Sequence, residues 1–297
     1  MRVAVTGGTG FVGGQLIAAL AAAGHQVVSV ARGKRPTASA SVVNIQASVT
    51  EKEKLPEAFA GCAEIVHLAG INRDVGCQTF EAVHVEGTRN VVAAARSADA
   101  EKVVLLSFLK ARPDCGSRYH ETKWEAERIV AESGLDFTIL KAGIIYGRGD
   151  GMLTNLHRAL RLLPVFAPVG LREATVRPVA VGDVVSILVA SAVEGRLSGE
   201  VVPVLGPEEL PLSAVVRRVA QVMNRRVLVV PLPVWFHRLQ AWLGEKLLAD
   251  PLVSGAQVRM LAEGVSDPLP GCDELPPDLQ PRTALDQQAI LAALPRR

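Results

Sequence analysis

A tyrosine and a lysine four residues apart carry the clearest sign of chemistry. Tyr119 and Lys123 stand in residues 118–132, which we predict to be a helix, and residues four apart share one helix face. A nearby ammonium favours the phenolate, so we expect Lys123 to lower the pKa of Tyr119. Tyr119 would then act as acid or base for a carbonyl or alcohol oxygen. Lys123 could also hold the ribose of a nicotinamide.

A glycine-rich turn near the start of the chain could bind a diphosphate. Residues 3–5 predict a buried apolar strand, and a predicted helix follows the glycines. Gly8, Gly10 and Gly13 fit the pattern G-x-G-x-x-G, while Gly7, Gly10 and Gly13 fit T-G-x-x-G-x-x-G. Glycine permits a sharp turn and a close approach of backbone to ligand, and a helix start attracts anions. The stretch therefore predicts a dinucleotide site.

The second predicted strand covers residues 26–30, and the loop that follows it decides which dinucleotide binds. Residues 31–35 read Ala-Arg-Gly-Lys-Arg and contain no acid. An acidic residue here would bind the ribose 2′-hydroxyl of NAD, whereas the arginine fork matches the 2′-phosphate of NADP. We favour NADP(H) over NAD(H), with Arg32 best placed. A solvated basic loop is the alternative.

Strands alternate with helices along the first half of the chain, which predicts an α/β fold. We expect a doubly wound parallel sheet, a Rossmann domain, in residues 1–150, with residues 171–197 returning to it. Residues 151–170 and 198–297 would form a smaller C-terminal α/β region that binds substrate. A proline-rich tail without a core of its own is predicted from Val265 onward.

The composition narrows the classes of function. Hydrophobic residues make up 49% and charged residues 21% of the 297, as in ordinary globular proteins, and a net charge of +2 is too small to indicate nucleic acid. No apolar run reaches membrane-spanning length, and the cysteines and histidines lack metal-ligand spacing. Because the first strand begins at residue 2, we expect no signal peptide and a cytoplasmic protein. The expected partner is a small-molecule substrate, with peripheral membrane contact left open.

The sequence resembles the extended and atypical short-chain dehydrogenase/reductases, which include NAD(P)-dependent epimerase/dehydratase-like proteins. Tyr119 and Lys123 correspond to the catalytic pair of that family. Its other landmarks resemble residues 6–13, 67–70, 86–90, 144–147 and 177–184. Within the superfamily, residues 107–109, 117–119 and, more weakly, 251–261 are most similar to bacterial relatives of the NADPH-binding accessory subunit of respiratory complex I.

The resemblance implies catalytic roles for Tyr119 and Lys123 and a wider set of cofactor contacts. Small residues at 69 and 70 would let adenosine or the nicotinamide ribose lie over a strand end. The expected cofactor-binding residues are Thr6, Gly7, Gly8, Thr9, Gly10, Phe11, Val12, Gly13, Arg32, Leu68, Ala69, Gly70, Ser107, Lys123 and Lys141. No metal site is expected.

Four positions depart from the family pattern. A catalytic Ser or Thr is expected just past the fifth strand, and alignment puts Leu109 there. His84 stands in place of the usual Asn, Ser48 in place of an acid that contacts adenine, and Lys141-Ala142 in place of Arg-Pro. These changes leave cofactor binding intact and weaken the case for carbonyl chemistry.

Two functions therefore remain open. One is an NADP(H)-dependent oxidoreductase with Tyr119 as acid or base, which the Tyr-Lys pair favours. The other is a non-catalytic NADP(H)-binding structural or sensor protein, which the missing hydroxyl favours; we lean towards the enzyme, with a nucleotide-sugar epimerase or dehydratase as a lesser alternative. In the predicted helix 234–248, Trp235, Phe236 and Trp242 are expected to be core, with a quinone-, lipid- or partner-facing surface as the alternative.

Overall fold

The computed structural model describes residues 1–33, 39–247 and 255–294. Three earlier predictions fall partly outside the described residues: the basic loop at Lys34 and Arg35, the end of the predicted helix at Leu248, and residues 251–254 of the weakly similar segment 251–261. The chain divides into two compact units. The first comprises Met1–Ala142, Val184–Val204 and Pro268–Gln280, and the second Gly143–Asp183, Leu205–Asp267 and Pro281–Arg297.

The strands confirm the predicted α/β fold. In chain order they are β1 (Arg2–Thr6), β2 (Gln26–Ala31), β3 (Val42–Gln46), β4 (Glu64–His67), β5 (Lys102–Phe108), β6 (Asp136–Ala142), β7 (Ile145–Tyr146), β8 (Val165–Phe166), β9 (Thr175–Val176), β10 (Val179–Ala180), β11 (Glu200–Val204), β12 (Leu210–Pro211) and β13 (Leu228–Val229). Seven of them form one parallel sheet in the order β11-β6-β5-β4-β1-β2-β3. The order reverses between β1 and β4, and ligands of such sheets bind at that reversal.

The helices are α1 (Phe11–Ala22), α2 (Leu55–Phe59), α3 (Gly87–Ser97), α4 (Arg118–Ala131), α5 (Gly151–Leu162), α6 (Val181–Val193), α7 (Leu212–Val222), α8 (Val234–Leu247), α9 (Gly255–Glu263) and α10 (Gln287–Ala293). A 3-10 turn (Lys52–Lys54) precedes α2, and a π-helical segment (Glu81–Glu86) precedes α3. Within the described ranges, no helix combines the length and apolar composition that a bilayer crossing requires. The prediction that Trp235 and Trp242 of α8 are core residues is wrong, since the two are 65% and 51% exposed.

The central strands of the first unit are buried on both faces, since every residue of β4 and all but one residue of β5 are buried. Phe59 of α2 and Val91 of α3 are fully buried against Ile65 of β4 and Val103 of β5. Parallel strands covered by helices on both sides need such continuous apolar runs. The sheet therefore holds its carboxyl-end loops on a rigid base.

The boundaries of the units differ from the expected ones. Residues 143–150 and 171–183 were expected in the Rossmann domain but belong to the second unit, and residues 268–280 of the tail belong to the first. Glu200–Val204 was expected in the smaller region, but it pairs with β6 as an edge strand of the main sheet.

The proline-rich tail is packed against other elements, among them β11 and α7. Asp273 and Val201 exchange hydrogen bonds of 2.7 Å, and Ile290 of α10 is fully buried. The helix α10 begins at Asp286, whose carboxylate accepts from the amide of Ala289, a capping signal that the sequence reading missed.

Candidate cofactor cleft and active site

The glycine loop between β1 and α1 has two positions where an added Cβ would clash with backbone atoms. Gly7 adopts φ +71°, and a Cβ there would lie 2.9 Å from the backbone of Leu68 and Ala69. A Cβ on Gly13 would overlap the carbonyl oxygen of Gly7. Gly10 is exposed at the N-cap of α1, and its amide donates to that same oxygen at 2.8 Å. The loop is thus wound tightly, with bare backbone at the helix start.

Gly8 serves a different purpose from its neighbours. A Cβ at this position would overlap the Ser29 hydroxyl of β2 and lie 2.8 Å from Cδ1 of Ile17. Gly8 therefore allows α1 to pack against the sheet, facing away from the cleft described next. Of the two patterns in the sequence, the one with Gly7, Gly10 and Gly13 describes the loop.

A cleft of about 150 Å³ opens at the carboxyl ends of β1, β2, β3 and β4. Among its described lining residues, Arg32 is the only charged one. The floor is small or apolar. The lining consists of Gly7, Thr9, Gly10, Val30, Ala31, Arg32, Ala47, Ser48, Val49, Leu68, Ala69, Gly70, Ile71, Gln78 and Val83. The cleft lies at the reversal of strand order, where a dinucleotide is expected.

The cleft brings together seven of the expected cofactor residues, namely Gly7, Thr9, Gly10, Arg32, Leu68, Ala69 and Gly70. Phe11, Val12 and Gly13 lie in the first turn of α1, whose amides have no partner within the helix. Sequence reasoning noted Ser48 as the residue at an adenine-contacting position, but it missed the neighbours Ala47 and Val49 after β3, and Gln78, as lining. The rule that loops at carboxyl strand ends share one edge could have found the first group.

Thr6 does not reach the cleft. It is fully buried, and its hydroxyl donates to Nδ1 of His67 at 2.7 Å. Nε2 of His67 donates to the Thr88 hydroxyl at 3.1 Å, because that hydroxyl already donates to the His84 carbonyl. Burial, helped by the charge of Lys123, lowers the pKa of His67 to about 3. Thr6 thus ties β1 to β4, and His67 is a neutral packing residue.

Tyr119 lies on the first turn of α4 with its ring among other rings. The ring centroids of Phe80, His84 and Phe108 stand 5.7, 5.7 and 5.4 Å from it. Burial raises the pKa of Tyr119 to about 12. The expectation that Lys123 lowers this pKa is therefore wrong, because burial among these rings outweighs any effect of the ammonium.

Lys123 follows Tyr119 by one helical turn, and its ammonium is directed at the sheet. Nζ donates to the carbonyl of Leu106 at 2.9 Å, and a Cβ built on Gly70 would lie 3.8 Å from it. Burial lowers the pKa of Lys123 to about 8, and the charge of Glu127 opposes that shift. Lys123 therefore stands beside the Gly70 wall of the cleft.

His84 also stands against Gly70, at the position of the family's Asn. Its Nε2 accepts from the amide of Ile71 at 3.1 Å, and its Nδ1 donates to the Thr122 hydroxyl at 3.0 Å. Burial lowers the pKa of His84 to about 2. The neutral ring thus ties the loop after β4 to α4.

Ser107 and Lys141 were expected to contact cofactor, but neither lines the cleft. The Ser107 hydroxyl donates to Oε1 of Glu127 at 2.5 Å, and Lys141 Nζ lies 2.7 Å from Oε2. Ser107, Glu127 and Lys141 are each at least nine-tenths buried. Sequence reasoning missed Glu127, although it continues the helix face of Tyr119 and Lys123 at the same four-residue spacing. This buried carboxylate draws both side chains away from the cleft.

The position of the family's catalytic Ser or Thr holds a completely buried leucine. Leu109 has no exposed surface, and its amide donates to the Ala142 carbonyl at 2.8 Å. The backbone here continues the pairing of β5 with β6. No hydroxyl is therefore present at this point of the described structure.

Comparison with known proteins agrees with the geometry of the cleft. The sequence profile of a family described as NAD(P)H-binding matches residues 7–157. A denitrifying reductase that acts on 3-diazoavenalumate in Streptomyces is 31% identical over 226 residues, which cover 67% of this chain and 74% of that protein.

Two further proteins are similar to this chain, one a longer relative and the other a solved structure with a similar fold. An uncharacterized protein of Mycobacterium bovis is 26% identical over 79% of this chain, which spans only 24% of that longer protein. The UDP-glucuronic acid 4-epimerase of Bacillus cereus, solved with NAD, has 17% identity and a TM-score of 0.73 over 99% of this chain and 97% of that one. The chain therefore belongs to the NAD(P)H-binding, short-chain dehydrogenase/reductase-like family of Rossmann-fold proteins.

Proposed function

We propose that the protein is an NADP(H)-dependent oxidoreductase that reduces a small carbonyl compound. The observation that carries the proposal is the placement of Tyr119 and Lys123 one turn apart on α4, with the ammonium beside Gly70 of the cleft. A proton donor next to a nicotinamide site is what carbonyl reduction needs.

The cleft suits a dinucleotide by its shape and its charge. Gly7 and Gly13 keep the loop tight, and the exposed backbone at Gly10 faces the start of α1, where phosphates are stabilised. Arg32 is exposed at the end of β2, and no acidic residue lines the described cleft. An arginine fork and the lack of a carboxylate support NADP(H) over NAD(H).

The protonation state of Tyr119 suits it to the role of proton donor. A bound nicotinamide supplies or accepts the hydride. With a pKa near 12, the Tyr119 hydroxyl keeps its proton at neutral pH and can donate it to a developing alkoxide. At neutral pH the protonated form dominates, and this is the form that carbonyl reduction uses. Lys123 would hold the nicotinamide ribose.

A non-catalytic NADP(H)-binding protein, structural or sensory, is the second candidate. The observation that favours it is the buried Leu109 in place of the catalytic hydroxyl. Such a role would match the resemblance to bacterial relatives of the complex I accessory subunit. The same missing hydroxyl weighs against a nucleotide-sugar epimerase or dehydratase, which we keep as a lesser alternative.

The test is NADPH oxidation by the full chain across a panel of aldehydes, ketones and quinones, together with calorimetry of NADPH and NADH. We expect slow turnover that Tyr119→Phe lowers by at least about a hundredfold, with NADPH affinity unchanged. Tyr146→Phe is the matched control, because the only other tyrosine lies in the second unit.

Two outcomes would decide against an enzyme of this kind. Turnover that survives in Tyr119→Phe would rule out the proposed acid. NADPH binding with no turnover of any compound would favour the non-catalytic candidate.

A further inference from the structure

The π-helical segment before α3 turns three consecutive residues inwards. Val83, His84 and Val85 are all buried. Three consecutive positions of a regular α-helix span about 200°, which is wider than the stripe that a surface helix buries. Turns of this kind are rare and occur frequently at functional sites. His84 is the one polar residue of the three, so its ring needs hydrogen-bond partners inside the first unit.

The His84 ring has such partners on two different elements. Its Nε2 accepts from the amide of Ile71 at 3.1 Å, and because an amide can only donate, the ring proton is on Nδ1. Nδ1 donates to the Thr122 hydroxyl at 3.0 Å, and that hydroxyl donates to the Arg118 carbonyl at 2.7 Å. One tautomer of one ring therefore bridges the loop after β4 and the helix α4.

The two ends of this bridge lie at the cleft wall and at the Tyr-Lys pair. A Cβ built on Gly70 would lie 3.5 Å from Nε2 of His84 and 3.8 Å from Nζ of Lys123. At the other end, Thr122 stands on α4 between Tyr119 and Lys123. The rings of His84 and Tyr119 also meet at 72°, with their centroids 5.7 Å apart. His84 thus sets the distance from the cleft wall to both side chains.

A chain of buried hydrogen bonds connects His84 to the glycine loop as well. The Thr88 hydroxyl donates to the His84 carbonyl at 2.5 Å and accepts from Nε2 of His67 at 3.1 Å. Nδ1 of His67 accepts from Thr6, which directly precedes Gly7. The side chains of this chain are at most 2% exposed as residues. A buried network in which every group is paired holds its members in one arrangement.

We propose that His84 is a positioning residue, which holds Tyr119 and Lys123 at a fixed place relative to the cofactor in the cleft. The inference rests on the proposed function. Only a neutral imidazole can accept at one nitrogen and donate from the other. Burial, helped by the charges of Lys123 and His67, keeps the ring neutral by lowering the His84 pKa to about 2. A histidine in place of the family's Asn therefore has a specific structural use here.

Two substitutions separate the two ends of the bridge. Asparagine ends at the level of Nδ1, so His84→Asn keeps a donor for Thr122 and loses the acceptor for Ile71. Glutamine reaches the level of Nε2, so His84→Gln does the reverse. We expect His84→Asn to weaken NADPH binding about tenfold with kcat near native at saturation. His84→Gln should lower kcat about tenfold and leave NADPH affinity within about twofold.

A third variant tests whether His84 acts through Thr122. Thr122→Val keeps the imidazole but removes its acceptor, so kcat should fall as in His84→Gln. The double variant should be no slower than either single variant, because both remove the same bond. His237→Gln is the matched control, since His237 is a buried histidine of the second unit whose Nε2 donates to the Pro168 carbonyl at 3.1 Å. It should change neither kcat nor NADPH affinity.

Hydrogen exchange tests the bridge without any turnover. The Ile71 amide should exchange faster in His84→Asn than in His84→Gln, and residues 118–123 should exchange faster in His84→Gln. Thermal unfolding checks that each variant is folded.

Four results discriminate between the possibilities. Equal effects of His84→Asn and His84→Gln on NADPH affinity and on exchange would overturn the positioning role. Losses in kcat that multiply in the double variant would do so too. A native chain that turns over no compound would defeat the proposed oxidoreductase, while affinity and exchange would still decide the role of His84. A loss in His237→Gln as large as in the His84 variants would show a general effect of altering a buried histidine.

Discussion

The cofactor cleft and the Tyr119 face belong to the same unit but are lined by different kinds of groups. The cleft is formed by backbone and small side chains, with Arg32 as the only described charge. The Tyr119 face is formed by the rings of Phe80, His84 and Phe108 and by a lysine that donates to the backbone. Glycine spacing encodes the first directly. The second depends on contacts between distant parts of the chain.

This difference decides where sequence reasoning succeeds. A Tyr-Lys pair at helical spacing predicts proximity, and both residues do lie on α4. The electrostatic consequence does not follow from spacing, because the pKa depends on what surrounds the hydroxyl. Here the rings raise the Tyr119 pKa, and Lys123 is engaged by Leu106.

The largest expected effect belongs to the cleft and to a backbone position. Gly10→Val places a branched side chain at the exposed start of α1. Apart from its chain neighbours, the only described atom within 4 Å of a Cβ built at position 10 is the carbonyl oxygen of Gly7, at 3.0 Å. We expect NADPH affinity to fall by about a hundredfold or more, because the side chain would occupy the space of the diphosphate. Calorimetry measures the NADPH affinity, and thermal unfolding shows whether the variant is folded.

Gly151→Val is the control for this change. Gly151 also begins a helix, α5, and has no atom within 4 Å of an added Cβ. The Gly151→Val variant should bind NADPH with the affinity of the native chain. Normal binding by Gly10→Val would mean that the cofactor is misplaced in our account.

The second effect belongs to the Tyr119 side and is one of stability. Leu109→Ser should lower the free energy of unfolding by about 3 to 5 kcal/mol, because it removes buried methyl groups and encloses a hydroxyl. Urea unfolding measures the loss, and Leu171→Ser, at a leucine that is 72% exposed, is the control. A loss below about 1 kcal/mol would contradict the packing described for Leu109. The family resemblance still predicts that this hydroxyl raises turnover per folded molecule.

The fold was within reach of the sequence because its signals are local. Apolar runs such as β1 and β5 and the glycines between β1 and α1 indicate a doubly wound sheet without any long-range information. The edge strand β11 was assigned to the wrong region, since a short apolar strand late in the chain carries no mark of its partner β6. Ser107 and Lys141 were misassigned for a related reason. Their partner Glu127 became visible only when α4 was packed on the sheet.

The third effect concerns Arg32, the one charged residue among the described lining of the cleft. Arg32→Ala should reduce the preference for NADPH over NADH by about tenfold to a hundredfold, the value of a charge-assisted hydrogen bond. NADH affinity should change little, because NADH has no 2′-phosphate. Calorimetry with both cofactors gives the ratio.

Arg217→Ala is the control that distinguishes loss of the Arg32 bond to the 2′-phosphate from loss of one positive charge. Arg217 is an exposed arginine of α7 in the second unit, so its removal changes the net charge equally. The NADPH preference should survive there. An Arg32→Ala protein that keeps its preference would remove the main argument for NADP(H).

The smallest expected effect returns to Tyr119 and its lysine neighbour. In Tyr146→Phe only one tyrosine remains, and its ultraviolet titration should show no phenolate below about pH 10 while circular dichroism reports a folded chain. Adding Lys123→Met should leave this titration almost unmoved, because burial rather than the ammonium sets the pKa. The raised pKa means that the native state binds more protons than the unfolded state between about pH 10 and 12, so stability falls as pH rises through that window. If the phenolate instead formed near neutral pH, and if Lys123→Met raised the pKa of Tyr119, then Lys123 would lower that pKa after all. The contrast between the two regions would then be wrong.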